Sequence, residues 1–205
     1  MPQLEDHDTD DGKRVWMNKE ELETLFGAYN GNRDSLDDRM EKEYALRFMG
    51  QAGLRTQEML DASPGDITTV NTDDGELTKL RVPDGKNSKY RETVIPDQLA
   101  RDLRTYQRAT GVSDNDSFID RTRRTIQRWV ASAGQHVASE TGNSNWEHVT
   151  PHDLRRSWAM VLLDSGTGPT VVMELGGWEN YKTFKESYLG HHSDATIAEQ
   201  VAGAF

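Results

Sequence analysis

Between residues 67 and 95 the residue pattern changes its period, and that change limits the folds open to this chain. On either side, apolar side chains recur three and four residues apart, the spacing of one helix face. Inside the segment, β-rich runs at 67–70, 77–82 and 90–95 are separated by Asp73-Asp74-Gly75 and by Asp84-Gly85. Short runs joined by Gly-bearing turns predict an antiparallel meander, because a parallel pairing would need a long crossover. The expected class is mainly α with a small three-stranded antiparallel β-sheet (α+β).

Helix signals frame that sheet. Asn18 followed by Glu21 fits a capping box that opens a helix through Leu22, Leu25 and Phe26. Ser35 caps a longer helix carrying Met40, Tyr44, Leu46, Phe48 and Met49, which Gly53 interrupts. Thr56 restarts a short helix that Pro64-Gly65 ends. Helical patterns resume at Asp97. Thr150-Pro151 supplies an N-cap and first-turn proline for a helix through Leu154, Trp158, Val161 and Leu162, stopped at Gly166. Short helices are expected at 169–175, 180–189 and 194–202.

The chain has 205 residues, the size of one ordinary domain. Cysteine is absent, which excludes disulfides, thiolate catalysis and Cys-ligated metals. The longest strictly apolar run, 159–163, is far too short to cross a membrane. The net charge is −11, with Asp exceeding Glu by 20 to 15 and Arg exceeding Lys by 16 to 8. That bias fits a protein of very high salt, where screening removes most carboxylate repulsion. The reading is a halophilic cytoplasmic protein.

The charge is segregated. Residues 1–43 carry 6 basic and 13 acidic side chains, and residues 1–12 are expected to be an acidic disordered tail ahead of a domain over 13–205. Residues 81–128 carry 11 basic and 7 acidic side chains. Arg101, Arg104 and Arg108 recur at helical spacing, and Arg121, Arg123, Arg124 and Arg128 follow. Any one such run reads as a solvated face. Two Arg clusters inside an acidic chain point to a polyanion partner.

Four stretches carry candidate chemistry. His152-Asp153-Leu154-Arg155 puts an imidazole and a guanidinium on one helix face, a pair suited to phosphate; it reads also as a surface His beside an Arg that pairs with Asp153. Arg55 begins a short helix with Glu58 three residues on, which reads equally as a surface ion pair. The turn Gly85-Lys86-Asn87-Ser88-Lys89-Tyr90-Arg91 can project a lysine into a neighbouring site, or simply keep a hairpin soluble. Gly176-Gly177-Trp178 permits close backbone approach, with Tyr181 and Tyr188 beyond it.

In order and spacing these stretches resemble the tyrosine recombinase family of phage-type integrases. Residues 52–58 resemble its Gly-Leu-Arg-x-x-Glu box, and 63–67 the Ser-x-x-Asp-Ile that follows. Residues 85–91 are similar to its Gly-Lys-x-x-Lys-x-Arg hairpin, 94–96 to the Val-Pro after it, and 152–155 to its His-x-Leu-Arg box. Trp178 stands where the family usually has His. Tyr188 follows ten residues later, one more than is usual, and Tyr181 fits the spacing less well.

The resemblance implies the integrase catalytic-domain fold without its N-terminal core-binding domain. It implies a site-specific recombinase that breaks and rejoins DNA through a 3′-phosphotyrosyl intermediate, with no metal, ATP or other cofactor. Tyr188 would be the nucleophile, with Arg55, Lys86, His152, Arg155 and Trp178 as catalytic partners and Glu58 supporting them. Lys89, Arg91 and the two Arg clusters would bind DNA. The implied partners are double-stranded DNA at attachment sites, further copies in a dimer and tetramer, and accessory DNA-bending proteins, with no membrane. With the composition, this points to a virus or plasmid of a salt-loving archaeon. The alternatives are a type IB topoisomerase-like enzyme and a non-catalytic DNA-binding regulator.

Overall fold

Chain-local signals set most element boundaries in the computed structural model, which describes residues 1–6, 13–31, 34–73, 75–83, 90–188 and 201–202. The first departure from expectation comes at the start. Residues 3–6, expected in a disordered tail, form strand β1 (Gln3–Asp6), antiparallel to β2 (Lys13–Trp16). The reason is non-local. Val15 is fully buried, and the β2 backbone is held by side chains about 140 residues away, so the acidic composition does not decide the outcome.

Helix α1 (Lys19–Phe26) starts at the Asn18–Glu21 capping box, and α2 (Leu36–Gln51) starts where the Ser35 hydroxyl accepts from the Asp38 N–H. Each cap is worth about 1 kcal/mol. Helix α3 (Thr56–Asp61) follows the break at Gly53. Strands β3 (Ile67–Thr72), β4 (Gly75–Pro83) and β5 (Tyr90–Val94) form the antiparallel meander in that order, with Ile67 opposite Leu80 and Leu80 opposite Thr93.

Helix α4 (Asp97–Thr110) buries Leu99, Ala100, Leu103 and Tyr106 on one face, leaves Arg101, Arg104 and Arg108 on the other, and ends at left-handed Gly111. Helix α5 (Arg123–Thr141) is capped by Thr122 and buries Ile126, Val130, Ala133 and Val137. Helix α6 (Pro151–Asp164) starts at Thr150 with Pro151 in its first turn. Helices α7 (Pro169–Gly176) and α8 (Tyr181–Tyr188) complete the described fold. Of the helix expected at 194–202, only residues 201–202 lie among the described residues, and both are helical.

Two packed regions result. The larger centres on α2, α5 and the sheet, with Phe26, Phe48, Leu80, Ile95 and Ile126 at or below 1% exposure. The smaller joins the end of α6 to α7 and α8 through Trp158, Val172, Phe184 and Tyr188. Helix α6 packs on α2 and contributes to both regions, so it ties the C-terminal helices to the main core. The fold is thus mostly helical with a small antiparallel sheet, plus the unforeseen β1–β2 ribbon.

Gly53 fixes how α2 hands over to α3. Its φ is +64°, and a Cβ there would lie 2.3 Å from the Trp158 ring. Gly53→Ala therefore combines left-handed strain with overpacking. An expected loss of about 3 kcal/mol should appear as a lower urea midpoint with unchanged slope.

Candidate active site

Arg55 and Arg155 both meet the segment around Gly53. The Gly53 carbonyl accepts from Arg155 Nη1, and Arg55, two residues on, caps α3. Glu58, three residues further, accepts the Arg55 N–H at 2.7 Å and the Arg55 guanidinium at 2.6 Å. It also accepts Arg91 Nη2 at 2.7 Å and lies 3.6 Å from Arg155 Nη1. One carboxylate thus gathers three guanidiniums from α3, β5 and α6. Burial alone would raise its pKa; Arg91, the Arg55 N–H, Arg155 and the Arg55 charge outweigh that and hold it below the usual glutamate range.

Arg155 is 1% exposed. Its Nη2 donates to the Gly176 carbonyl, and its guanidinium sits 4.3 Å from the centre of the Trp178 ring. Burial first, then the adjacent Arg55, pushes its pKa down to about 9, which leaves it cationic at neutral pH. A Cβ on Gly176 would collide with the Trp178 ring at 1.8 Å, so only glycine lets this carbonyl and this indole approach together. The Trp178 ring face covers Arg155, a cation–π contact, and its aromatic neighbours among the described residues are Trp158, Phe184 and Tyr188.

Tyr188 is 3% exposed. Its ring stacks on Phe184 at 4.8 Å, meets Trp178 at 5.2 Å and takes an edge-to-face contact with Trp16 at 6.2 Å. Burial raises the phenol's pKa, against the pull of Arg155, Arg156, Arg14 and Arg55. This phenol therefore gives up its proton less readily than a free tyrosine does.

His152 lies on α6, three residues before Arg155. With Arg55, Arg155, Leu54, Thr56, Gln127, Thr150 and Pro151 it lines a cleft of about 350 Å³. Burial of the ring, then Arg156, Arg155, Arg55 and Arg14, pushes its pKa down to about 4. The free imidazole is neutral at pH 7 and able to accept a proton. Proton NMR of the free protein should show His152 titrating near pH 4. Bound anionic phosphate favours the charged form, so the midpoint should rise toward the ordinary value near ~6.5. No rise on saturation with inorganic phosphate would contradict a phosphate site beside this ring.

The other sequence-identified residues divide. Lys86 and Lys89 lie outside the described residues. Arg91, expected on a DNA-facing turn, turns inward: it binds Glu58 and the Leu175 carbonyl at 2.7 Å, because the β5 register aims it at the α3–α7 junction. Arg121 pairs with the nearly buried Glu41 and covers Trp129, and Arg123 donates to Gln57. Arg124 and Arg128 are exposed on α5. On α4, Arg101, Arg104 and Arg108 donate to Gln98, Thr69 and Thr105, and none of the three pairs with a carboxylate among the described residues.

Asp153 was missed. It is 0% exposed: Oδ2 accepts from the Thr150 N–H and hydroxyl, and Oδ1 accepts from the Val15 N–H and Arg156. The visible signal was its place three residues after Thr150, the far end of a capping box.

Known proteins share this chain's sequence pattern and fold. A model described as the phage integrase family matches residues 15–195. The chain belongs to the phage integrase family. Its catalytic-domain fold recurs in the crystal structure of XerA recombinase, with a TM-score of 0.68 at 19% identity, covering 93% of this chain and 65% of that one. It recurs in XerH site-specific recombinase bound to difH substrate, with a TM-score of 0.67 at 19% identity, covering 92% and 54%. In sequence it is 29% identical over 167 residues to tyrosine recombinase XerD of Rickettsia prowazekii (strain Madrid E), covering 74% of this chain and 52% of that protein. The chain spans about half the length of the curated relatives it matches. None of the described helices is long and apolar enough to cross a membrane.

Proposed function

We propose that this integrase-family chain catalyses site-specific DNA recombination by transesterification at a phosphodiester. The observation that carries the reading is the joint placement of Arg55, His152 and Arg155 in one cleft, with Tyr188 coupled to Arg155 by Trp178.

The Tyr188 oxygen attacks phosphorus, the bond from phosphorus to the 5′-oxygen breaks, and a 3′-phosphotyrosyl link replaces it. Neutral His152 takes the phenol proton. Arg55 and Arg155 stabilise charge growing on the non-bridging oxygens, and Glu58 holds both at the right spacing. Lys86, by family resemblance, protonates the leaving 5′-oxygen. The linkage conserves the broken bond's energy, so a 5′-hydroxyl from another strand can reverse the step without ATP, metal or other cofactor.

Arg101, Arg104 and Arg108, which pair with no carboxylate among the described residues, form with Arg124, Arg128 and Lys89 the DNA-binding set of this reading. An anionic duplex is the partner such cations recognise, and its binding should weaken with salt. Integration or excision of a virus or plasmid, pairwise and tetrameric assembly on DNA with bending proteins, and a cytoplasmic site in a salt-loving archaeon extend the proposal. The Asp- and Arg-rich composition supports the last of these.

The test is covalent capture. Protein is incubated with a pool of 5′-labelled, randomised duplexes, each nicked just 3′ of centre so that the short released fragment diffuses away. Labelled adduct should accumulate, and peptide mapping should place it on Tyr188. Adduct on another residue, or none at saturating DNA, would overturn the proposal.

A further inference from the structure

Of Tyr188's three aromatic neighbours among the described residues, two come from its own end of the chain and one does not. Phe184 and Trp178 lie within ten residues of it; Trp16 lies on β2, at the other end of the described fold. The Trp16 ring meets the Tyr188 ring at 85°, the edge-to-face geometry that aromatic quadrupoles favour. Its indole N–H is fixed in turn, donating to Glu5 Oε2 at 3.0 Å across the β1–β2 ribbon.

The ribbon is itself anchored to the helix that carries His152 and Arg155. The Val15 N–H donates to Asp153 at 3.3 Å and the Met17 N–H to the Ser157 hydroxyl at 3.0 Å. Both acceptor residues are 0% exposed, so water cannot compete for these bonds. Val15 and Met17 point into the core, so strand alternation puts Arg14 and Trp16 on the opposite face, towards Tyr188. Arg14's charge acts on both Tyr188 and His152.

We propose that Trp16 is a positioning residue for the nucleophile: clamped between Glu5 and the α6-anchored strand, it fixes the Tyr188 ring relative to Arg155 and His152. This rests on Tyr188 being the attacking residue. The physical point is leverage. Tyr188 is the last described residue of α8, which meets the end of α6 through the smaller packed region, and Trp16 supplies a second tie to the helix that carries the phosphate-binding groups. An error of about 1 Å in a nucleophile's position costs on the order of 100-fold in rate.

The test compares Trp16→Leu, which keeps apolar bulk without the ring, with Trp16→Phe, which keeps an aromatic edge. Both are assayed on duplexes recovered from the captured pool, beside Tyr188→Phe. Trp16→Leu should slow single-turnover adduct formation about 10- to 100-fold, with duplex affinity by mobility shift and the thermal transition by circular dichroism little changed. Trp16→Phe, which keeps the ring edge but cannot donate to Glu5, should restore part of the rate. A leucine variant that cleaves at the wild-type rate, a phenylalanine variant as slow as leucine, or parallel loss of affinity and folding in both would overturn the positioning role. Adduct surviving in Tyr188→Phe would instead overturn the nucleophile assignment, so the two failures are distinguishable.

Discussion

Phenylalanine at position 188 should abolish covalent attachment to DNA and leave the fold intact. The substitution removes one oxygen and keeps the ring that packs on Phe184, Trp178 and Trp16. Stability should change by no more than about 1 kcal/mol, the usual scale of a single hydroxyl. Adduct formation should fall by more than about 10⁴-fold, since a missing nucleophile has no local substitute. Tyr181 cannot take over in place. It lies seven residues earlier on α8, about 10 Å along the helix axis, and is 51% exposed. Duplex affinity should persist, because the cationic groups are untouched. Denaturing gels read the adduct, mobility shifts the affinity and urea titration the stability. Adduct that persists and maps to Tyr181 would refute the assignment.

How much of this was legible in the sequence depended on how far each interaction reaches. The caps at Asn18, Ser35, Thr122 and Thr150 act within three residues, and three of them were readable from residue types and spacing. The meander was legible because its turns and alternation are local. The Arg55–Glu58 pair was legible for the same reason, whereas the two further guanidiniums on Glu58 were not: they arrive from β5 and α6.

The β1–β2 ribbon failed on composition. Its acidic residues argue for disorder only if nothing holds the strand, and Asp153 and Ser157, deep in another element, hold it. Asp153 looked like a surface partner for Arg155. It caps its helix, binds the ribbon and pairs with Arg156 instead, while Arg155 is satisfied by two carbonyls that no side-chain pattern reveals. Trp178 was read by resemblance as a catalytic partner standing where the family usually has His. Only packing could show that its ring face is occupied by a cation.

Arg155 should prove the position where stability and cleavage are most closely coupled, and its lysine variant the most informative. Arg155→Ala strips the Gly53 and Gly176 carbonyls of their guanidinium donor and leaves Trp178 without the cation over its face. Removing one partner from such a buried charged network costs about 3–5 kcal/mol. Losing a guanidinium at a transferring phosphoryl group costs on the order of 10³-fold or more in rate. Stability and cleavage should therefore fall together.

Arg155→Lys separates charge from geometry. A lysine cannot reach two carbonyls with a planar fork, so a rate deficit of about 100-fold should remain. It also starts from a lower ordinary pKa, near ~10.4. The burial and the Arg55 charge that pull the native guanidinium down to about 9 should bring an ammonium close to neutrality. For a base whose pKa is lowered, the charge is present below that pKa and lost as pH rises through it. Cleavage by Arg155→Lys should therefore be best near pH 6 and decline by pH 8, whereas the native guanidinium keeps its charge across that range. Single-turnover rates of the lysine variant, divided by wild-type rates at each pH, isolate this effect. A ratio that stays flat from pH 6 to 8 would mean that the buried position does not depress a cation's pKa as its surroundings require.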